Sequence, residues 1–199
     1  MDERIKAVID ADFFRNITEY DHGINLFLRV MNDLNMEPVM HEFVANVELK
    51  GNKYLQQLLD KNMITIVTYG DYLKEADRAD YEDYFYKAYE RINCFDFVEG
   101  CDIYEYKERD ESLGEICSLY MARKMGYIYF MSDDADAKVI AKSFFSTKRS
   151  VRVQSLFDVL IMCKENNTSL SWKDIKPTVT SAMRKRRDKI NRLKVLYSE

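Results

Sequence analysis

Turn-forming residues are scarce in this chain, which has six glycines and two prolines among its 199 residues. These residues supply the special backbone angles of tight turns, and an all-β fold needs many such turns. Their scarcity therefore argues against an all-β fold. The apolar content of 47% is ordinary for a globular protein, and the length suits one domain with a sizeable core.

Sulfur and imidazole ligands are also in short supply, with four cysteines and two histidines in the chain. The cysteines form no C-x-x-C pair and show no metal-ligand spacing, so we expect reduced and largely buried thiols. The segment HEFVA at 41–45 begins like the zinc-protease motif H-E-x-x-H, but Ala45 stands where the second histidine is required. The sequence therefore offers no zinc site and no catalytic histidine arrangement.

Long hydrophobic runs are missing as well. No apolar run approaches the roughly 20 residues that span a bilayer. The opening MDERIKAVID carries acids where a secretory signal would have a basic segment and then a long apolar one. We therefore expect a cytoplasmic protein with no membrane partner.

Short apolar runs alternate with segments whose apolar residues recur at helical spacing. Strands separated by helices predict an α/β fold, a three-layer α/β/α sandwich with a mostly parallel central sheet. The predicted strands are 5–11, 63–69, 127–131 and 150–154, and the predicted helices are 13–19, 24–34, 38–48, 54–59, 81–92, 112–126, 136–145 and 156–164, with a final helical region after them.

Five residues mark predicted helix ends. Pro38 suits a helix start. Ser112 and Glu115 have the spacing of a capping box, and Gly126 suits a C-terminal stop. Asp136 is predicted to be the N-cap of the helix that it precedes rather than a metal ligand.

Acidic residues follow two of the predicted strands. Asp10 lies at the end of the first strand, after the apolar run 7–9, and Asp133 and Asp134 follow the strand at 127–131. In open parallel sheets, functional sites lie beyond the carboxyl ends of the strands. Carboxylates that meet there repel one another unless a cation neutralises them, and Mg²⁺ prefers such oxygen ligands together with waters and phosphate. The pattern indicates Mg²⁺ or Mn²⁺ and phosphate-ester chemistry.

Five segments of the chain resemble the PIN domain, the nuclease fold of many bacterial toxins and RNA-processing enzymes. They occur in the order of that family and span most of the chain. They are VIDADFF at 8–14, PVMHEFVANVEL at 38–49, LGEICSLYMARKMG at 113–126, IYFMSDDADAK at 128–138 and VRVQSLFDVLIMCKENN at 151–167.

The resemblance implies a metal-dependent endoribonuclease with a quartet of acids around Mg²⁺ or Mn²⁺. Asp10, Glu48 and Glu115 match the first three acids of the family, and Asp133 or Asp134 matches the fourth, with Asp134 the expected catalytic residue of the two. A single PIN-like domain would cover 1–183, with RNA as substrate. An inhibitory protein partner or a homodimer is left open.

Two positions depart from the pattern of the family. Asp12 stands where many relatives have Asn or Ser, and it adds a negative charge to the site. The stretch 71–110 is longer than in the small toxin members of the family, which argues against a toxin.

The C-terminal segment 184–199 is strongly basic, with seven basic and two acidic residues in a chain whose net charge is −4. A basic segment on an acidic body suggests an anionic partner such as nucleic acid. We expect Arg184, Lys185, Arg186 and Arg187 to contact RNA. A solvated final helix without such a partner is the plain alternative.

Two other functions fit the sequence. Haloacid-dehalogenase-like phosphatases also begin with an apolar strand and D-x-D, which would make Asp10 a nucleophile and Asp12 a general acid. Phe13 and Phe14 stand where those enzymes usually have small or hydroxyl residues, and IVTYGD at 66–71 is the one candidate for their phosphate-binding strand end. A PIN-like scaffold that binds or regulates without catalysis is the third possibility.

Overall fold

Five parallel strands form the central sheet of the computed structural model, which describes residues 4–20, 23–92, 102–104, 112–145 and 150–198. The sheet order is β3-β2-β1-β4-β5. It reverses between β1 and β4, where this class of sheet leaves a crevice beyond the strand ends. The strands are β1 (Ile5–Ile9), β2 (Met36–His41), β3 (Thr65–Val67), β4 (Tyr129–Met131) and β5 (Arg152–Gln154).

Helices cover both faces of this sheet, which confirms the predicted three-layer α/β/α sandwich. In β1, Ala7 and Ile9 belong to the apolar core on one face, and Val8 belongs to the core on the other. The helices on the first face are α1 (Ala11–Thr18), α2 (Gly23–Asp33), α3 (Lys53–Asp60), α8 (Leu156–Glu165), α9 (Trp172–Ala182) and α10 (Arg187–Ser198). Those on the second face are α4 (Tyr69–Tyr72), α5 (Arg78–Arg91), α6 (Leu113–Met125) and α7 (Ala135–Phe144).

The prediction of a helix starting at Pro38 is wrong, because Pro38 lies inside strand β2. Proline is tolerated in a strand where its missing N–H faces no partner. The ladder between β2 and β3 begins only at Val39, opposite Thr65, so β2 is unpaired on that side at Pro38. The helical stripe that follows is confirmed only in part, as a π-helical turn, Val44–Glu48.

Two predicted helix caps are corrected and one is confirmed. Ser112 makes no capping hydrogen bond, because its backbone is not in the extended conformation of an N-cap (φ −133°, ψ 2°). The N-cap of α7 is Asp134 and not Asp136, since the Asp136 N–H donates to Asp134 Oδ1 at 2.7 Å. Gly126 ends α6 with a left-handed backbone (φ 72°), as predicted.

His41 is a neutral core residue, in agreement with the rejected zinc motif. Its Nδ1 accepts from the Phe43 N–H at 3.1 Å, so Nε2 carries the proton and donates to the Tyr72 hydroxyl at 3.0 Å. Burial lowers the pKa of His41 to about 3.

The sulfur side chains agree with the expected thiols as far as the structure describes them. Cys117 and Cys163 are buried free thiols, and Cys94 and Cys101 lie outside the described residues. No helix within the described ranges is long and apolar enough to cross a membrane.

The basic C-terminal segment forms helix α10, which packs against α8 and α9. Leu193 and Tyr197 of α10 are buried in the same core as α1 and α8. The Tyr197 hydroxyl donates to the Leu160 carbonyl at 2.6 Å. Arg187, Lys189, Arg192 and Lys194 are therefore carried on an anchored helix, and Arg184, Lys185 and Arg186 lie in the turn before it.

Candidate functional site

Asp10 stands where β1 ends and α1 begins. Its backbone N–H donates to the Met131 carbonyl at 3.0 Å, which ties the end of β1 to the end of β4. Its side chain is almost fully buried, and Oδ2 accepts from the Ser132 hydroxyl at 3.1 Å. The other oxygen, Oδ1, has no hydrogen-bond partner among the described residues. A buried carboxylate oxygen without a partner is costly, and it requires a proton or a cation.

Glu48 reaches this corner from the last position of the π-helical turn. In that turn the Leu49 N–H donates to the Val44 carbonyl at 2.9 Å, which encloses one residue more than an α-helical turn does. The Arg15 guanidinium donates to the Glu48 carbonyl at 2.7 Å and so fixes the turn against α1. Such turns occur frequently at functional sites.

The carboxyl group of Glu48 lies against the N-terminus of α6. It accepts a hydrogen bond from the Gly114 backbone N–H, which lowers its pKa somewhat. Gly114 has no side chain, and the space that a Cβ would fill is taken by Glu48, whose Cδ would lie 2.8 Å from that Cβ. Glu48 therefore accepts a hydrogen bond at the start of α6. The predicted capping box gave that role to Glu115, a residue of the helix itself.

Glu115 lies in the first turn of α6, one residue after Gly114. The predicted role of Glu115 in a capping box is wrong, since no such box is formed. Its side chain is instead buried, and Oε2 has no hydrogen-bond partner within the described part of the chain.

Burial and neighbouring charges raise the pKa of all three acids. Burial, together with the charge of Asp12, raises the pKa of Asp10 to about 7. Burial and the charge of Asp10 raise the pKa of Glu48 to about 8. Burial and the charges of Asp10 and Glu48 raise the pKa of Glu115 well above its usual range. The fold therefore brings Asp10, Glu48 and Glu115 together in a place where their ionisation is strongly unfavourable.

Asp133 and Asp134 occupy different positions beyond β4. Asp134 caps α7, and its charge still raises the pKa of Asp10 and of Glu115. Asp133 is more exposed and accepts two hydrogen bonds, from Asn16 Nδ2 at 2.8 Å and from the Leu156 N–H at 2.9 Å. Asp133 thus connects α1 to the start of α8, and Asp134 lies nearer to the buried acids.

The sequence analysis did not identify two residues beside the acids, Arg15 and Ser132. Arg15 pairs with Asp12 at 2.9 Å, and the side chain of Asp12 is 54% exposed. The Ser132 hydroxyl donates to Asp10 and accepts from the Asp134 N–H at 3.1 Å. The spacing of Asp12 and Arg15, three residues apart on a helix, was a usable signal for their ion pair. Ser132 gave no such signal.

The side chains at this site have the ligand atoms that a hard divalent cation prefers. Carboxylate oxygens suit Mg²⁺ and Mn²⁺, and two of them, Asp10 Oδ1 and Glu115 Oε2, have no partner among the described residues. Within the same ranges, no group of three Asp, Glu, His or Cys side chains could hold a metal ion as the side chains stand. Mg²⁺ usually takes only one or two carboxylates directly and completes its shell with waters and phosphate. Asp10 and Glu115 would supply those direct contacts.

The basic residues 184–187 do not act as one cluster. Arg186 lines a cavity together with Asp133 and Asp134, whereas Arg184, Lys185 and Arg187 are exposed and do not line it. One of the four cations therefore lies next to the acidic edge of the sheet.

Comparison with known proteins assigns no family to this geometry. No protein-family model, curated protein or solved structure matches the chain. Function has to be inferred from the chain's own residues.

The raised pKa of Asp10 predicts a stability that depends on pH. An unfolded chain releases this proton near the usual value of 3.8, while the folded protein keeps it up to about pH 7. Over that interval the folded state binds more protons than the unfolded state, so each rise in pH lowers the free energy of unfolding. Asp10→Asn removes this dependence. Without divalent cations, the variant should gain stability over the wild type by about 1.4 kcal/mol per pH unit between roughly pH 5 and pH 7.

Urea denaturation of both proteins across this range, in the presence of a chelator, measures the difference. The comparison cancels the opposite effect of His41, whose lowered pKa makes stability fall as the pH drops below the ordinary histidine value of 6.5. Asp60→Asn, an exposed acid at the end of α3, is the control and should track the wild type. A constant difference between Asp10→Asn and the wild type would contradict the raised pKa.

Gly114→Ala tests whether Glu48 must occupy the start of α6. A Cβ there would lie 2.9 Å from Glu48 Oε2, so the carboxyl group must move. Alanine is favoured over glycine in a helix by about 1 kcal/mol, so thermal stability should be kept or raised while Mn²⁺ binding, measured by calorimetry, weakens. Ser118→Ala, one turn further along α6 and also buried, should leave Mn²⁺ binding unchanged. Equal Mn²⁺ affinity in the wild type and Gly114→Ala would contradict this role of Glu48.

Proposed function

We propose that the chain is a metal-dependent endoribonuclease of the PIN-like type, which hydrolyses RNA phosphodiesters with Mg²⁺ or Mn²⁺. One observation carries the proposal. Asp10, Glu48 and Glu115 converge in a buried corner at the point where the strand order reverses, with free carboxylate oxygens on Asp10 and Glu115. Carboxylates held there at the expense of stability are typical of a functional site.

The acids and Ser132 would have different roles in such a site. Asp10 and Glu115 would hold the ion through their free oxygens, and Glu48 and Asp134 would add negative charge around it. The Ser132 hydroxyl fixes the orientation of the Asp10 carboxyl group. When bound, the divalent ion lowers the pKa of a coordinated water and stabilises charge on the scissile phosphate. The three acids, whose pKa values are raised mainly by burial, would be favoured in their ionised form by a bound cation.

RNA is the proposed substrate because the resemblance to PIN domains and the cations of the C-terminal segment favour a polyanion. Arg186 lies beside Asp133 and Asp134, next to the buried acids. A cytoplasmic location, an inhibitory protein partner and a homodimer stay predictions of the sequence.

A second candidate is a non-catalytic binding module on the same scaffold. It is favoured by the lack, within the described residues, of any three side chains arranged to hold a metal ion. The phosphatase hypothesis has less support, because its general acid would be Asp12. That residue is 54% exposed and paired with Arg15, and a phosphatase of that type gives no role to Glu48 or Glu115.

Cleavage of total RNA by the purified protein with Mn²⁺ tests the proposal. The wild type should cleave RNA, and a chelator should stop the reaction. Asp10→Asn should reduce cleavage to the level of the buffer while RNA binding is kept, because the change removes a metal ligand and no phosphate contact. Asp60→Asn is the matched control, and it should cleave RNA like the wild type.

The outcomes separate the three functions. Equal cleavage by the wild type and Asp10→Asn would mean a contaminating nuclease or a different site. Hydrolysis of a small phosphate monoester without cleavage of RNA would favour the phosphatase. Inactivity in both assays, together with no Mn²⁺ binding by calorimetry, would favour the non-catalytic module.

A further inference from the structure

A cavity of about 220 Å³ lies beside the acidic site on the same edge of the sheet. Asp133 and Asp134 form the side that it shares with the acids. Cations from separate parts of the chain form the rest of its charged lining. They are Lys138 of α7, Arg186 before α10 and Lys189 of α10.

The fold positions these cations individually. Lys189 Nζ lies over the ring of Phe157, 4.8 Å from its centroid, which holds the ammonium group at the wall of the cavity. Lys138 Nζ lies 3.5 Å from Asp158, at the long end of an ion pair. Arg186 pairs with no acid among the described residues. The cavity therefore has cationic donors that internal ion pairs do not use up.

Three backbone N–H groups in the first turns of α7 and α8, close to the cavity, are already bonded. The N–H of Asp136 is taken by Asp134, the N–H of Leu156 by Asp133, and the N–H of Asp158 by Ser155. The lysine and arginine side chains that line the cavity suit phosphate oxygens.

We propose that this cavity binds one phosphodiester group of the polynucleotide substrate, next to the phosphodiester that the acidic site cleaves. That the bound polynucleotide is a substrate rests on the proposed function, whereas the binding itself is inferred from the lining of the cavity. Asp133 and Asp134 form the boundary between the two sites, so a strand held by Lys138, Arg186 and Lys189 passes directly to the buried acids. The proposal selects Arg186 from the basic run 184–187 and adds Lys138 and Lys189, which lie outside that run.

Two triple variants with the same loss of charge test the selection. One replaces Lys138, Arg186 and Lys189 with glutamine, and the other does so with Arg184, Lys185 and Arg187. Both are made in the Asp10→Asn protein, so that binding is measured without cleavage. Fluorescence anisotropy of a labelled single-stranded RNA, over a series of salt concentrations, gives the affinity and its salt dependence.

The cavity triple should weaken RNA binding about tenfold or more and flatten the slope of log K against log salt by about 0.7, the value for one phosphate of a single strand. The other triple removes the same charge away from the cavity and should change affinity about threefold or less. The single changes Arg186→Gln and Arg184→Gln, both at exposed positions, repeat the comparison with little risk to folding. Circular dichroism checks that each variant is folded.

Equal effects of the two triples, or a larger effect of the second, would overturn the cavity as the binding site, and so would the absence of any RNA binding by the Asp10→Asn parent. Failure of the proposed function looks different. RNA binding that depends on the cavity, with no cleavage by the wild type in Mn²⁺, would remove the nuclease and leave the phosphodiester site to a binding module.

Discussion

The removal of Asp10, Glu48 and Glu115 from water, close to one another, is the constraint around which this edge of the molecule is built. Burial is the largest cause of the raised pKa of each carboxyl group, and the charge of Asp10 adds to it for Glu48 and Glu115. Such a group costs stability at neutral pH unless it keeps its proton or meets a cation. The neighbouring structure reduces this cost only in part. Ser132 donates to Asp10 and the Gly114 N–H donates to Glu48, while one oxygen each of Asp10 and Glu115 has no partner among the described residues.

The surrounding strands, turn and helix hold these acids in position. The reversal of strand order sets the end of β1 beside the end of β4, and the Asp10 N–H is bonded to the Met131 carbonyl across that junction. The π-helical turn ends at Glu48, and Arg15 holds that end against α1. Gly114 leaves the space that the Glu48 carboxyl group occupies. A divalent cation would supply the positive charge that this arrangement lacks.

Periodicity and topology were enough to predict the sandwich and the meeting of acids beyond β1 and β4. They failed where a contact distant in sequence decides the local structure. Pro38 has the signal of a helix start, but pairing with β1 places it in a strand. Ser112 and Glu115 have the spacing of a capping box, but Glu48 from another segment accepts at the start of α6. Likewise, the sequence 184–187 looks like one basic cluster. In the structure, the turn before α10 places Arg186 at the cavity beside the acids, and the other three cations do not line that cavity.

Crystals grown with Mn²⁺ at about pH 8 show whether these acids hold a divalent cation, since a high pH favours loss of the protons that the ion must displace from them. Diffraction at the manganese absorption edge locates the ion without reference to activity. We expect an anomalous peak at bonding distance, about 2 Å, from Asp10 Oδ1 or Glu115 Oε2, with Glu48 and Asp134 around it. Saturating Mn²⁺ with no peak at these oxygens, or a peak only elsewhere on the surface, would contradict it.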